Sequence, residues 1–302
     1  MVMLITQSIK LPPGYRHTDI LAFHGRDEHS VSEMVAGNTL QKGIMWNGHP
    51  ALLTIMFSGF QAHVQLHTDG ATDSPGDAQA LETMARHMLE LTQPIEPFEA
   101  AHGDHPLIGD ILVQQSGLLV AVCASPFEAL TWAVTGQQIS LRAAIALRRR
   151  LIQELGIRHS SGMYCYPDAS HLANMDDDAF RLTGMSRSKS NTLRTISQAV
   201  LEQHLPLDAW LHSPPEQVPE IFSVLRSIKG VGPWTINYTL LRGYGWLDGS
   251  LHGDAAVRRA IRTLIQCSEL DEKAAELWLQ PFSPWRAILA AHLWQWLSGH
   301  EA

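Results

Sequence analysis

Leu225-Arg226-Ser227-Ile228-Lys229-Gly230-Val231-Gly232-Pro233-Trp234-Thr235 is the stretch from which the rest of the chain can be read. Its apolar spacing predicts an amphipathic helix over 216–228 that runs into Gly-Val-Gly, with a second helix over 233–242 starting almost at once. Two glycines around one apolar residue let the backbone turn tightly and expose successive N–H groups beside a helix N-terminus. That geometry accepts a phosphate oxygen without basic side chains. A bare Gly-x-Gly is equally what a plain tight turn needs. The flanking Leu-x-x-Ile and Trp-Thr are what set this one apart.

Twenty residues past Trp234 stands Leu251-His252-Gly253-Asp254, followed by Ala255-Ala256-Val257-Arg258-Arg259. Val257, Ile261, Leu264 and Ile265 give a helical apolar face, so a helix is expected over 254–266 with Asp254 as its N-cap. An N-cap Asp by itself only satisfies backbone N–H groups. The helix dipole nevertheless favours the ionised carboxylate, and an ionised carboxylate is what cleavage through an oxocarbenium-like sugar requires. Trp234 and Tyr238 lie one turn apart on one helix face.

Outward from this centre the chain divides in character. From Ser125 on, only helices are predicted, over 126–136, 140–155, 187–203, 216–228, 233–242, 254–266, 271–279 and 284–298. Ser125-Pro126-Phe127-Glu128 combines an N-cap Ser, Pro at the first helical position and a capping-box Glu. Gly156 and Gly184 are natural C-terminal stops, and Pro284 marks the last helix start. Residues 1–110 read instead as mixed α and β. Ala51 to Phe57 and Gln61 to His67 form a hairpin, and Asp73-Ser74-Pro75-Gly76 opens a helix through Leu81, Met84, Met88 and Leu91. Gln93 to Asp110, rich in Pro, Gly and His, reads as a link.

Composition excludes several classes. Charged residues at 17% and apolar ones at 45% describe a globular chain, long enough for two domains. No apolar run suits a signal peptide or a membrane span. Three spaced cysteines, Cys123, Cys165 and Cys267, fit a reducing compartment and cannot make a four-cysteine cluster. The net charge of −8 lies wholly in residues 1–110, with 5 Lys/Arg against 13 Asp/Glu; residues 111–302 balance at 17 against 17. Arg142, Arg148, Arg149 and Arg150 could give the neutral part a local positive face.

Gly230-Val231-Gly232-Pro233-Trp234-Thr235, Asn237-Tyr238, Leu241-Arg242-Gly243 and His252-Gly253-Asp254 together resemble the signature of the helix-hairpin-helix DNA glycosylases, in their 3-methyladenine (type II) branch. Gly136-Gln137-Gln138-Ile139-Ser140, Leu182-Thr183-Gly184-Met185-Ser186, Pro284-Trp285-Arg286 and His292-Leu293-Trp294 follow in the family's order. The resemblance implies an α+β fold. A small antiparallel-sheet domain over 1–110 precedes an all-α body over 111–302, whose two helical lobes flank an active-site cleft. It implies Asp254 as the catalytic carboxylate, and Trp234, Tyr238 and Trp285 as the wall around a flipped base. It implies DNA contact through Gly230, Val231, Gly232 and Thr235, with Gln138 where the family carries a wedge that is most often apolar. An electron-rich aromatic cleft suits a cationic alkylated purine.

Further implications concern activity and surroundings. Lyase relatives carry a Lys where this chain has Trp234, so the expected reaction is monofunctional hydrolysis on double-stranded DNA containing alkylated bases. No cofactor and no metal are expected, save a structural monovalent cation that relatives can hold on the hairpin carbonyls. A monomer in the bacterial cytoplasm is expected. Two other readings compete. One is a non-catalytic helix-hairpin-helix protein that binds damaged DNA. The other is a metal-dependent hydrolase, suggested by 16 histidines and by His102-Gly103-Asp104-His105, which lacks the i, i+4 spacing of a helical metal site.

Overall fold

The computed structural model describes residues 3–70 and 76–300. Five strands, β1 (Met3–Lys10), β2 (Glu33–Ala36), β3 (Thr39–Trp46), β4 (His49–Ser58) and β5 (Gln61–Thr68), form one antiparallel sheet in the order β1-β5-β4-β3-β2. The expected hairpin is β4–β5, with Ser58 opposite Gln61. The sheet also has three strands that the sequence reading missed. A two-residue turn at Asn47-Gly48, both with positive φ, joins β3 to β4, as the twist of a hairpin demands. Alternation sets the inner face: Ala51, Leu53, Ile55, Phe57, Ala62, Val64 and Leu66 pack under α1 (His17–His24) and α2 (Asp77–Met88). Gly76 caps α2; residues 73–75, where that helix was expected to open, lie outside the described residues.

Residues 93–110 are not an extended link. They carry α3 (Glu96–His102) and lead into α4 (Gly109–Gln114). Phe98 and Ile108 are fully buried in the cluster that also holds Tyr238, Val257, Ile261 and Ile288. Apolar anchoring by those two side chains outweighs a loop-like composition.

The helical body follows as α5 (Pro126–Gly136), α6 (Leu141–Leu155), α7 (Ala169–Asn174), α8 (Asp177–Thr183), α9 (Arg187–Leu201), α10 (Val218–Ser227), α11 (Pro233–Tyr244), α12 (Ala255–Leu264), α13 (Glu272–Leu279) and α14 (Arg286–His300). Short α7 and α8, absent from the sequence reading, span too few turns to show a period. Their Leu172 and Phe180 belong to a second apolar cluster with Leu130, Leu151, Leu193 and Leu240. α11 serves both clusters, giving Leu241 and Tyr238 to one and Ile236 and Leu240 to the other. Gly156 and Gly184 take left-handed φ of 67° and 80° as C-caps of α6 and α8.

A buried charge cluster fastens sheet to helices. Lys42 of β3 is 0% exposed and reaches Glu33 Oε1 at 2.5 Å and Glu128 Oε1, at the start of α5, at 2.7 Å. Arg148 of α6 donates to Glu128 Oε1 at 2.8 Å and pairs with Glu33 Oε2 at 3.2 Å. Burial pushes Glu33 up, but Arg148 and Lys42 outweigh it and hold the carboxyl well below its usual range. Removing one partner of such a group strands a buried charge, at a cost of about 3–5 kcal/mol. Glu128 therefore does more than complete a capping box: Ser125 Oγ accepts its amide at 3.1 Å, while its Oε2 accepts from Ala124 N at 3.3 Å. Of the arginine run, Arg148 is committed here and Arg149 pairs with Asp27 at 2.9 Å, which leaves Arg142 and Arg150, both exposed, for a local positive face.

Candidate active site

Asp254 is the N-cap of α12, as its sequence context predicts, and its Oδ1 accepts from Ala256 N at 2.9 Å and Val257 N at 3.1 Å. Two indoles add to these amides. Trp234 Nε1 donates to Oδ2 at 2.9 Å and Trp294 Nε1 donates to Oδ1 at 3.1 Å. Four N–H donors on a half-buried side chain fix the carboxylate in one orientation, three of them on Oδ1 and one on Oδ2. Trp234 reaches Asp254 because α11 begins at Pro233, so the ring leaves the first helical turn toward the 250–254 loop. Asn237, one turn on and buried, holds that loop by donating to Ser250 O at 2.7 Å.

Aromatic rings continue from the carboxylate. Trp234 and Tyr238 are 5.3 Å apart between centroids at 32°, and Tyr238 and Trp294 are 6.1 Å apart at 50°. Trp132 Nε1 donates to Tyr238 Oη at 3.0 Å and fixes that ring in place. Trp285 does not join the stack: its ring neighbours are Phe98 and His102, at 6.1 and 5.8 Å. The second indole at the carboxylate is instead Trp294, one of nine tryptophans. No spacing ties it to Asp254, forty residues away; only the return of α14 beside α12 brings them together.

The hairpin joins α10 to α11. Gly230 has φ of +91°, and a Cβ there would lie 2.2 Å from Thr192 Oγ1. Glycine is thus required twice at this position, by conformation and by space. Thr192 Oγ1 in turn donates to Lys229 O at 3.1 Å, tying α9 to the turn. Gly232 is different: its φ of −99° is open to any residue, and nothing approaches nearer than 3.9 Å. As N-cap of α11 it supplies no side-chain acceptor, so the first-turn amides of Trp234 and Thr235 have no partner within the helix.

Two hairpin side chains are directed inward rather than toward a ligand. Val231 is 2% exposed and belongs to the second cluster. Thr235 is also 2% exposed, and its Oγ1 accepts from Gln137 Nε2 at 2.8 Å, which leaves only its backbone amide for an external partner. Gln137 Nε2 also donates to Gly230 O at 2.8 Å, so it stitches the 136–140 loop to the hairpin. Gln138, next to it, is exposed with φ of +57°, and Ile139 is 38% exposed. Sequence alone could not tell which of two adjacent glutamines turns in.

Residues 131–284, just over half the chain, match the family described as HhH-GPD superfamily base excision DNA repair protein. The chain is 28% identical over 189 residues to DNA-3-methyladenine glycosylase 2 of Escherichia coli K12, covering 62% of this chain and 63% of that one. It is thus matched over less than two thirds of that relative's length. A DNA-3-methyladenine glycosylase of Bacillus subtilis 168 is 23% identical over 293 residues, 95% of each chain. In fold, the chain is similar to the 3-methyladenine DNA-glycosylase of Archaeoglobus fulgidus, with a TM-score of 0.78 at 19% identity over 97% of this chain and 98% of that one. The matched residues run from α5 through the hairpin and Asp254 to Pro284, and on that ground the chain belongs to the HhH-GPD superfamily of base excision DNA repair proteins.

Proposed function

We propose that this chain excises alkylated purines from double-stranded DNA by hydrolysis of the N-glycosidic bond, leaving the sugar–phosphate strand intact. The observation that carries the reading is the Asp254 carboxylate, held by two indole N–H groups at 2.9 and 3.1 Å where a wall of aromatic rings begins. A base flipped against Trp234 and Tyr238 would bring its glycosidic bond beside Asp254. A purine alkylated on a ring nitrogen carries positive charge, which the electron-rich rings favour. As the bond breaks, its electron pair goes to the base, which leaves neutral, and the positive charge passes to the sugar beside the carboxylate. A water then adds its oxygen to C1′ and gives up a proton, with Asp254 or solvent as acceptor. Trp234 in the place where lyases keep an amine supports a reaction without a Schiff base.

In this reading, the hairpin amides and Gly230–Gly232 hold a backbone phosphate and Gln138 stands at the gap left by the flipped base. A monovalent cation on the hairpin carbonyls would have to share them with the donors already there, Gln137 Nε2 on Gly230 O at 2.8 Å and the Arg226 guanidinium on Val231 O at 3.3 Å, and the enzyme works as a monomer. A set of duplexes, each with one lesion, incubated with the full chain and scored for free base, abasic sites and borohydride-trapped adduct tests all of this chemistry. Free methylated purine with alkali-labile strands and no adduct is the expected result. Binding without base release would make the chain a damage-recognition protein, and a trapped adduct would make it a lyase.

A further inference from the structure

We propose that His67, Asp69 and His159 form a zinc-binding site on the outer face of the sheet, where residues 157–166 cross it. His67 lies at the end of β5, Asp69 follows that strand, and His159 belongs to the turn closed by the bridge between Arg158 and Tyr164. One ligand atom from each residue falls within 4.8 Å of the other two. Close packing brings this turn down on the sheet, since a Cβ on Gly43 would lie 2.0 Å from Tyr164 O.

Proton accounting leaves the cluster one cation short. Ser161 N donates to His159 Nδ1 at 3.1 Å, which places the neutral ring's proton on Nε2. That single proton faces two lone pairs, His67 Nδ1 at 2.6 Å and Asp69 Oδ1 at 3.4 Å. Asp69 Oδ1 is buried and accepts no hydrogen bond, although its sister oxygen takes Ser160 N at 2.7 Å. One cation in the centre engages all three atoms. Metal on Nε2 would put the proton of His159 on Nδ1, which then gives up its bond from Ser161 N and donates instead to Ser161 Oγ, 2.9 Å away, the second-layer bond that metal-bound imidazoles usually make.

Two imidazoles and one carboxylate, without thiolate, are a borderline donor set suited to Zn²⁺. Three protein ligands leave a fourth position. It opens on a groove of about 460 Å³ bounded by Leu52, Thr54, Gln65 and Ser160, so water or a small ligand completes the tetrahedron. His102-Gly103-Asp104-His105, the tetrad that drew attention in the sequence, has no such convergence: His102 is enclosed by the rings of Phe98, Phe282 and Trp285. Zinc at His67 would tie β5 to the chain that follows α6, and so stabilise the seam between sheet and helical body.

The test is calorimetric titration of the untagged, chelator-stripped full chain with ZnCl₂, alongside thermal melts with and without zinc. One saturable site per chain and a melting temperature raised by zinc are expected. His67→Gln and Asp69→Asn, both at half-buried positions, should weaken binding by about 100-fold or more, and Ser161→Ala by about 10-fold. Circular dichroism checks that each variant is folded. Absence of a saturable site in the wild type overturns the proposal, as does an unchanged affinity in folded His67→Gln, which would assign the metal to other histidines. A variant that does not fold leaves the wild-type titration and melt to decide the matter.

Discussion

Asp254→Asn exposes an asymmetry in the carboxylate's surroundings. Oδ1 receives Ala256 N, Val257 N and Trp294 Nε1, whereas Oδ2 receives Trp234 Nε1 alone. An asparagine keeps its oxygen where three donors converge, which turns its NH₂ toward the Trp234 N–H, donor against donor. The lost bond is one to a charged group, worth about 1.5–3 kcal/mol and toward the low end because Trp234 is half-buried, and the three bonds to Oδ1 weaken as well once they lose their charge assistance. The effect on chemistry is separate and larger. Losing a preorganised anion beside a developing cation should cost about 2.7–4 kcal/mol, or 10²–10³-fold in rate. Single-turnover release of free base from a duplex with one methylated purine measures the rate, fluorescence anisotropy measures DNA affinity, and urea melts measure stability. Affinity should stay within about two-fold, because the hairpin is untouched. Adding Trp234→Phe, which deletes the opposed N–H but keeps an aromatic ring, should recover part of the stability and none of the rate. If Asp254→Asn cleaves within a few-fold of wild type, the carboxylate is only a helix cap and the reasoning fails.

Three further expectations follow from separate parts of the chain. Gly232→Ala should leave the melting temperature within a degree or two, since nothing lies within 3.9 Å of its Cβ, yet weaken binding to every DNA sequence alike if a phosphate approaches there; Gly230→Ala should destabilise the fold itself. Equal loss of affinity and stability at both positions would argue against a phosphate seat. Gln138→Ala should slow excision most on well-paired duplexes and least on mismatched or single-stranded substrates, compared in parallel time courses, while Gln138→Leu keeps most activity; if Ile139→Ala shows that pattern instead, Ile139 is the wedge. Glu90 is fully buried with both oxygens unpartnered, and burial raises its pKa well above normal, against a weaker opposing pull from Arg242. The folded state therefore holds this proton more tightly than the unfolded one. Glu90's contribution is intact below about pH 4, the ordinary range of a glutamate, and is lost as pH rises through the raised value. Glu90→Gln should consequently gain stability over wild type as pH increases from 4 to 8, and parallel stability curves in that window would refute this.

The hairpin and Asp254 were legible because their physics is local. A glycine turn between two periodic helices and a carboxylate one residue ahead of a third can be read in a window of a dozen residues. Helix ends marked by Gly156 and Gly184 were legible for the same reason. Contacts that depend on the return of a distant element were not. Trp294 meets Asp254 only through the packing of α14 beside α12, and Gln137 meets Gly230 across 93 residues. Lys42 carries no local cue to its buried partner Glu128, which lies 86 residues on. Strands β1 to β3 were missed because a few apolar residues in a short segment, with Lys42 on the inner face, do not produce a clean alternation.

Helix α5 connects two of these distant features in a straight line. Its first turn carries Glu128, seated on Lys42 and Arg148, and its last residue leads directly to Gln137 and the exposed Gln138. Eleven residues make a rod about 16 Å long, walled in along almost its whole length. A duplex pressed against the loop at one end would push back along that rod, and its thrust would come to rest on the lysine of the sheet. The sheet then acts as an abutment, and slack at Lys42 would reappear as play at the loop tip. A lesion at this buried lysine should therefore mimic a blunted wedge, leaving the chemistry of an already extruded base untouched.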